Sequence, residues 1–390
     1  MIVKPMRDTL TAAPAGPERD AAFAEALRVL EERRDEFAEQ GFVPRDFVNL
    51  LKRTGIYRAS TPEQFGGEPQ APADFLAQIE KISAVDPATG WVASFGSSLV
   101  YFAALPLESQ EIIYANGPDI CFAGGLFPMQ EAERVPGGYR CSGVWQFASG
   151  CRGADILGIG LKGGEETQGR PITALIDPKD AQIIDNWNVA GMRGTGSHAV
   201  KVENVFVPEE MTFIRGGEAT VDGPLTRYPA LAYAAQVLAV VALGAARGAL
   251  DYSYEAGSAK TSIVGGPVKG ARASYQAKLA HAEAQLGAAR AYFYEQTRLI
   301  WAKAVANEEI TPADKTQLRL AATHAAHESR EVILQAFDLA GTGAIYRTHP
   351  LQRFLQDGLV PAQHAMLQSN TYEASGAVLL GLDSTVPSFP

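Results

Sequence analysis

The chain has 390 residues, 46% hydrophobic and 20% charged, a globular composition long enough for about two to three structural units without a disulfide or metal staple. Its formal net charge of -10 argues against a nucleic-acid partner, because an acidic surface repels phosphate backbones. Three cysteines, Cys121, Cys141 and Cys151, suit neither a disulfide framework nor a four-cysteine zinc site and fit a reducing cytoplasm.

Met1 to Pro17 is mixed and polar, with no apolar run of the kind a signal peptide carries. Residues 18–118 then read as a helical domain. Residues 18–40 place Phe23, Ala26, Leu27 and Leu30 at a 3.6-residue spacing. Residues 72–84 and 91–105 continue the helical texture, and Pro62 with Gly66-Gly67 marks a loop between helices. The Glu31-Glu32-Arg33-Arg34-Asp35-Glu36 run is a solvated helix face.

Residues 119–217 change character. Short runs rich in Val, Ile, Tyr and Trp alternate with Gly and Pro pairs, at residues 138–145, 156–161, 172–176 and 199–207. This pattern predicts a central β-barrel or sandwich. Residues 218–390 return to helix. One helix is expected over residues 228–257, with Pro229 in its first turn, and a second over residues 271–307. A third is expected to open at Thr311-Pro312-Ala313-Asp314, where Thr311 can cap, and to close near Gly341 in a left-handed cap. Helices this long suit a four-helix bundle. Residues 231–250 come nearest to a membrane span, but Gln236 and Arg247 mark a buried bundle helix, so no membrane association is expected. The fold class is α+β, in the order helical domain, β domain, helical bundle.

Several stretches in this order resemble the acyl-CoA dehydrogenase superfamily over nearly the whole chain, about residues 20–385. They are Thr61-Pro62-Glu63-Gln64-Phe65-Gly66-Gly67, Gly90-Trp91-Val92, Trp145-Gln146-Phe147-Ala148-Ser149-Gly150, Gly191-Met192-Arg193-Gly194-Thr195-Gly196-Ser197, Val205-Phe206-Val207-Pro208 and Pro350-Leu351-Gln352-Arg353. The likeness is to the oxygen-using branch, the two-component flavin monooxygenases that act on phenols, steroids, dibenzothiophene and indole. It implies that Phe147, Ala148 and Ser149 line a flavin, with the Ser149 hydroxyl near its N5/C4a edge. Gly124, Gly125 and Leu126 would bring backbone amides to the pyrimidine ring. Trp91 would face flavin or substrate, Arg193 would border the pocket, and Thr342-Gly343 would reach the cofactor of a neighbouring subunit in a homotetramer.

Acyl-CoA dehydrogenases need a glutamate beside the flavin to take the substrate α-proton. Asp357 anchors the alignment, and the two positions that carry this base in the family hold Ala365 and Ala234 here. Glu373 lies about two turns beyond Ala365, facing elsewhere on a regular helix. Beside Ala365 stands His364, where related hydroxylases carry a histidine that manages protons on a phenol or on a C4a-hydroperoxyflavin. Phe95, Leu99, Phe102 and Met366 would supply the water-poor pocket such a species needs. The phenol hydroxylases' second histidine is missing from Phe95-Gly96-Ser97-Ser98-Leu99-Val100-Tyr101-Phe102, which ranks indole-like rings beside phenols. Gly341-Thr342-Gly343 lacks the remaining features of a dinucleotide fingerprint, so no nicotinamide site is expected. The resemblance thus implies an oxygenase component that takes reduced FAD or FMN from a separate NAD(P)H-dependent flavin reductase. With O2 it would hydroxylate or epoxidise an aromatic small molecule. The alternative is an acyl-CoA dehydrogenase with a displaced base. His324 and His327, one turn apart, could meet His281 or Glu283 around a metal, but interhelical polar contacts are the expected role.

Overall fold

The computed structural model describes residues 16–258, 268–384, 386 and 389. The polar N-terminal segment read above as carrying no signal peptide lies, up to residue 15, outside the described residues. In chain order the elements are α1 (Pro17–Gln40), α2 (Arg45–Arg53), α3 (Pro72–Val85), α4 (Pro87–Ser94), a 3-10 stretch over Phe95–Ala104 and α5 (Leu107–Tyr114). Strands follow: β1 (Phe122–Gln130), β2 (Glu133–Val135), β3 (Gly138–Trp145), β4 (Ile156–Leu161), β5 (Ile172–Ile176), β6 (Ala181–Ile184), β7 (Ala199–Pro208) and β8 (Thr212–Ile214). Helices α6 (Pro224–Arg227), α7 (Ala230–Ser258), α8 (Ala273–Ala306), α9 (Pro312–Ala340), α10 (Leu351–Gly358) and α11 (Asn370–Leu379) complete the chain. It divides into two compact units. The first holds the residues up to Ala71, Val92–Val189 and Arg193–Ala234; the second holds Pro72–Trp91, Ala190–Met192 and the residues from Ala235 on.

The first unit is built on two four-stranded sheets, ordered β1-β4-β5-β8 and β2-β3-β7-β6. Strands β4 and β5 are buried at every position, which is why they read as unbroken apolar runs instead of alternating ones. A Cβ at Gly160 would fall 2.1 Å from the Leu126 carbonyl, so glycine there lets β1 and β4 approach. Fully buried Trp145 donates its indole N–H to the Gly160 carbonyl at 2.7 Å, and a bridge between Phe127 and Gln146 links the sheets again. Phe102 packs edge-on against Phe122 and Phe213, with ring centroids 5.3 and 5.9 Å away. Buried Asp155 accepts from Arg45 at 2.6 Å and from Lys52 and the Cys121 N–H at 2.7 Å, which pins α2 to the start of β1.

The second unit is the helical bundle. Helix α7 is long and apolar enough to cross a membrane by length and composition, but 78% of its most apolar window is buried in the fold. Its small residues admit neighbours: a Cβ at Gly244 would lie 2.4 Å from the Glu80 carbonyl of α3. Gln236 donates to Thr297 across α7 and α8 at 2.7 Å. Thr311 caps α9 as expected, and Asp314 completes a reciprocal capping box with it.

Residues 91–105 keep the expected helical texture in two pieces: α4 ends at Ser94, and a 3-10 stretch follows. A Cβ at Gly96 would meet the Ile56 carbonyl at 2.5 Å, so packing against that backbone, and not helical periodicity, sets the local path. Gly341 has φ 71° with ψ -160°, outside the left-handed helical region, and the chain leaves α9 into a 3-10 turn over Gly341–Ile345. His364 is not on a helix. It follows a 3-10 turn over Pro361–Gln363, in extended backbone between α10 and α11, because Pro361 has no N–H to continue the helical ladder.

Candidate active site

The first unit carries a candidate flavin-binding region that begins where β3 ends. Phe147 takes φ +60°, which costs a non-glycine residue strain, and leaves its ring 66% exposed. The ring of Trp187 stands edge-on to it at 6.1 Å. Ala148 is buried, and its N–H donates to the His198 carbonyl at 3.1 Å. The Ser149 hydroxyl lies 2.7 Å from that of Ser197, itself 2.6 Å from that of Thr195, forming a buried chain of three hydroxyls. A Cβ at Gly125 would press 3.0 Å from the Trp145 Cβ and 3.4 Å from that of Ala148, so bare backbone lets β1 lie against this segment. Gly124 and Leu126 flank it, half-buried. Arg193 is exposed on a 3-10 turn over Arg193–Thr195. Phe95 is half-buried, and Leu99 and Phe102 are fully buried.

Two participants were not read from the sequence, Trp187 and His198. A tryptophan in the polar run Asp185-Asn186-Trp187-Asn188 was the available signal. Buried His198 accepts the Trp187 N–H through Nδ1 at 3.3 Å, while Asp185 Oδ1 lies 3.3 Å from the same nitrogen. Burial holds the imidazole pKa below its usual value, so the neutral ring's lone pair takes the N–H, and Asp185 becomes a partner only on protonation. An isoalloxazine needs a flat apolar slot with a few edge donors. Exposed Phe147 beside Trp187, bare backbone at Gly124-Gly125 and the Ser149 hydroxyl fit that need.

In the second unit Trp91 and His364 come together, with ring centroids 5.9 Å apart in an edge arrangement. The sequence motifs explain how Trp91 is placed. Arg353, from Pro350-Leu351-Gln352-Arg353, donates to Asp86 at 2.8 Å, and Asp86 accepts the Thr89 N–H at 2.9 Å in the first turn of α4. At Gly90 a Cβ would collide with the Ser83 hydroxyl at 1.9 Å. Asp357, the anchor of the family alignment, is buried and accepts the Met192 N–H at 2.6 Å. His364 is half-buried, and its Nδ1 accepts the Met366 N–H at 3.3 Å, which puts the proton of the neutral ring on Nε2. Met366 is half-buried and Ala365 exposed. Glu373 is exposed on the separate helix α11, so the two-turn spacing expected for one continuous helix does not apply. Thr342 and Gly343 are exposed, beside the exposed Ile345 and Tyr346.

The remaining histidines make polar contacts. His327 donates from Nε2 to the Leu367 carbonyl at 2.9 Å, steadying the segment that carries His364. His281 lies 3.2 Å from Gln335, and Glu283 takes Arg247 at 2.9 Å.

Residues 19–110 match the acyl-CoA dehydrogenase N-terminal domain and residues 236–369 the acyl-CoA dehydrogenase C-terminal domain. The chain is 44% identical over 380 residues to an indole-3-acetate monooxygenase of Pseudomonas putida, covering 95% of this chain and 97% of that one. It is 41% identical over 349 residues to an indole-3-acetate monooxygenase of Acinetobacter baumannii, covering 89% and 90%. Among solved structures it resembles the 3-HSA hydroxylase of Rhodococcus sp. RHA1, with a TM-score of 0.87, 27% identity and coverage of 95% and 98%. The chain belongs to the acyl-CoA dehydrogenase superfamily and, within it, to the flavin-dependent monooxygenases.

Proposed function

We propose that this chain is the oxygenase component of a two-component system that hydroxylates indole-3-acetate or a closely similar arylacetate. Reduced FAD or FMN is supplied by a separate NAD(P)H-dependent reductase, and O2 is the co-substrate. Together they provide the chemistry: two electrons and two protons reduce one oxygen atom to water while the other enters the ring.

The observation that carries the reading is the His364 imidazole, oriented by Met366 and packed on Trp91, with alanine at position 365. With Nδ1 occupied, Nε2 holds the exchangeable proton. His364 can donate there to developing negative charge and take back the proton released as the ring regains aromaticity. Alanine cannot remove an α-proton from a thioester. Phe147, Ala148 and Ser149 orient the flavin, with Ser149 steadied by Ser197 and Thr195, while Gly124, Gly125 and Leu126 offer backbone to its polar edge. Arg193 borders the flavin slot, and Phe95, Leu99 and Phe102 keep it dry. Met366 gives the His364 segment an apolar wall. All three cysteines are free and buried, which supports work in the cytoplasm. Exposed Ile345 and Tyr346 beside Thr342-Gly343 support association into a homotetramer.

The test supplies the protein with a flavin reductase, NADH and indole-3-acetate and follows both product and H2O2. The reading expects ring hydroxylation, with His364→Ala shifting the consumed O2 from product to H2O2. Equal product per NADH in wild type and variant counts against this role for His364.

A further inference from the structure

Two of the three buried cationic side chains among the described residues sit on carboxylates. Lys52 donates to Asp155 at 2.7 Å, and Arg58 pairs with Asp119. Arg319 on α9 is the exception: it is 4% exposed and has no carboxylate in salt-bridge contact among the described residues. Its contacts there are one long hydrogen bond, from Nη2 to the Met366 carbonyl at 3.4 Å, and the ring of Phe389, whose centroid lies 5.0 Å from the guanidinium carbon. Its Nε has no partner among the described residues. Neither has the hydroxyl of Thr323, one turn further along α9 and fully buried. A buried charge with no counterion among the described residues, beside a buried hydroxyl with no acceptor among them, is an expensive combination. Desolvation alone pushes the guanidinium pKa down to about 10, in the same direction. Such a pair is complete only when an anion with free lone pairs joins it.

We propose that Arg319, with Thr323 beside it, receives the carboxylate of the substrate's acetate arm and is what makes the enzyme prefer an arylacetate to the bare ring. This rests on the arylacetate reading above and adds the residue that reads the acid. Its placement relative to the proton-handling histidine is given by one residue. The Met366 N–H donates to His364 Nδ1 at 3.3 Å, and the Met366 carbonyl accepts from Arg319 at 3.4 Å. The histidine and the guanidinium are thus held by the N–H and the carbonyl of one and the same residue. A guanidinium fork matches a carboxylate with two parallel bonds, which an ammonium cannot reproduce.

The experiment compares the full-length protein, supplied with reductase, flavin and NADH, as wild type, Arg319→Gln and Arg319→Lys. The substrates are indole-3-acetate and the neutral 3-methylindole. A charged hydrogen-bonded pair is worth roughly 10- to 100-fold, so kcat/KM for indole-3-acetate should fall by about that factor in Arg319→Gln and partly recover in Arg319→Lys. Turnover of 3-methylindole should stay within about two-fold. Equal losses on both substrates, or no loss on either, overturns the proposal. Direct titration of wild-type protein with the two ligands covers the case in which the variants do not fold. Tighter binding of indole-3-acetate, weakening as salt rises, is expected, and equal binding of the neutral ring overturns the assignment. A wild type that turns over 3-methylindole as well as the acid sinks the arylacetate reading itself, whereas a selective wild type whose Arg319→Gln form keeps that selectivity sinks only the role of Arg319.

Discussion

His364 shows how a local rule and a distant contact combine. Pro361 stops the helical ladder, the backbone turns extended, and the imidazole then takes the Met366 N–H and the edge of Trp91. Removing a positioned proton-transfer group costs about 10² to 10⁴ in rate, so His364→Ala should reduce hydroxylation by at least about a hundred-fold with NADH oxidation still running. Steady-state product and H2O2 yields check this. Ser149→Ala removes the first hydroxyl of a chain of three and leaves Ser197 its bond to Thr195. A single neutral hydrogen bond is worth about 1 kcal/mol, so reduced-flavin affinity should weaken about five-fold, as read by anaerobic titration. An unchanged affinity would remove Ser149 from the flavin contact. The sequence singles out His364 and Ser149 as candidates by motif, but not the partners of either. His198 meets Trp187 through the antiparallel pairing of β6 with β7, and Trp187 meets Phe147 through the return of β7 beside β3, which no local pattern encodes.

Elements were legible where the signal was local. Strands β4 and β5 match the expected runs at both ends because β-branched residues are bounded by glycine and proline pairs. Helices α7, α8 and α9 lie within two residues of their expected starts, where Pro229 and the Thr311 capping box act. The 3-10 stretch over Phe95–Ala104 and the loop at His364 were missed because backbone packing and a missing N–H decide them, not periodicity. Replacing Thr311 with Ala should cost about 1 kcal/mol, measured as a lower midpoint in urea, because the Asp314 N–H loses its side-chain acceptor while the backbone N–H of residue 311 still donates to Asp314. His198 couples an element to pH. Its folded-state pKa is depressed from 6.5, so the unfolded chain takes the proton first as pH drops. Stability is therefore full above pH 6.5 and declines as pH falls from there towards the folded pKa. Protonation also removes the acceptor for the Trp187 N–H. His198→Asn, whose side-chain oxygen can stand in for Nδ1, should flatten this slope in thermal melts taken from pH 7 to 5. An unchanged slope would assign it to other groups.

At the scale of the whole molecule, the order of helices, sheets and helices was readable from composition alone, and the family followed from motifs in sequence order. The structure ties several of those motifs together. Asp357 clasps Met192, Arg353 braces the turn before Trp91, and Gly90 and Gly191 give room to a hydroxyl and a carbonyl that would otherwise collide with a side chain. On the proposed reading, the scaffold that carries a carboxylate base in dehydrogenases presents an imidazole and alanines here, so that the reaction class would turn on a few positions while the fold stays the same.

The most direct measurement is the fate of labelled oxygen. The protein, a flavin reductase, NADH and indole-3-acetate are incubated under ¹⁸O2, and the products are read by mass spectrometry. One ¹⁸O atom per hydroxylated product, with no product when the reductase is left out, is the predicted result. Unlabelled product, or a tightly bound flavin that is bleached by an acyl-CoA with formation of the 2-enoyl thioester, would contradict the account.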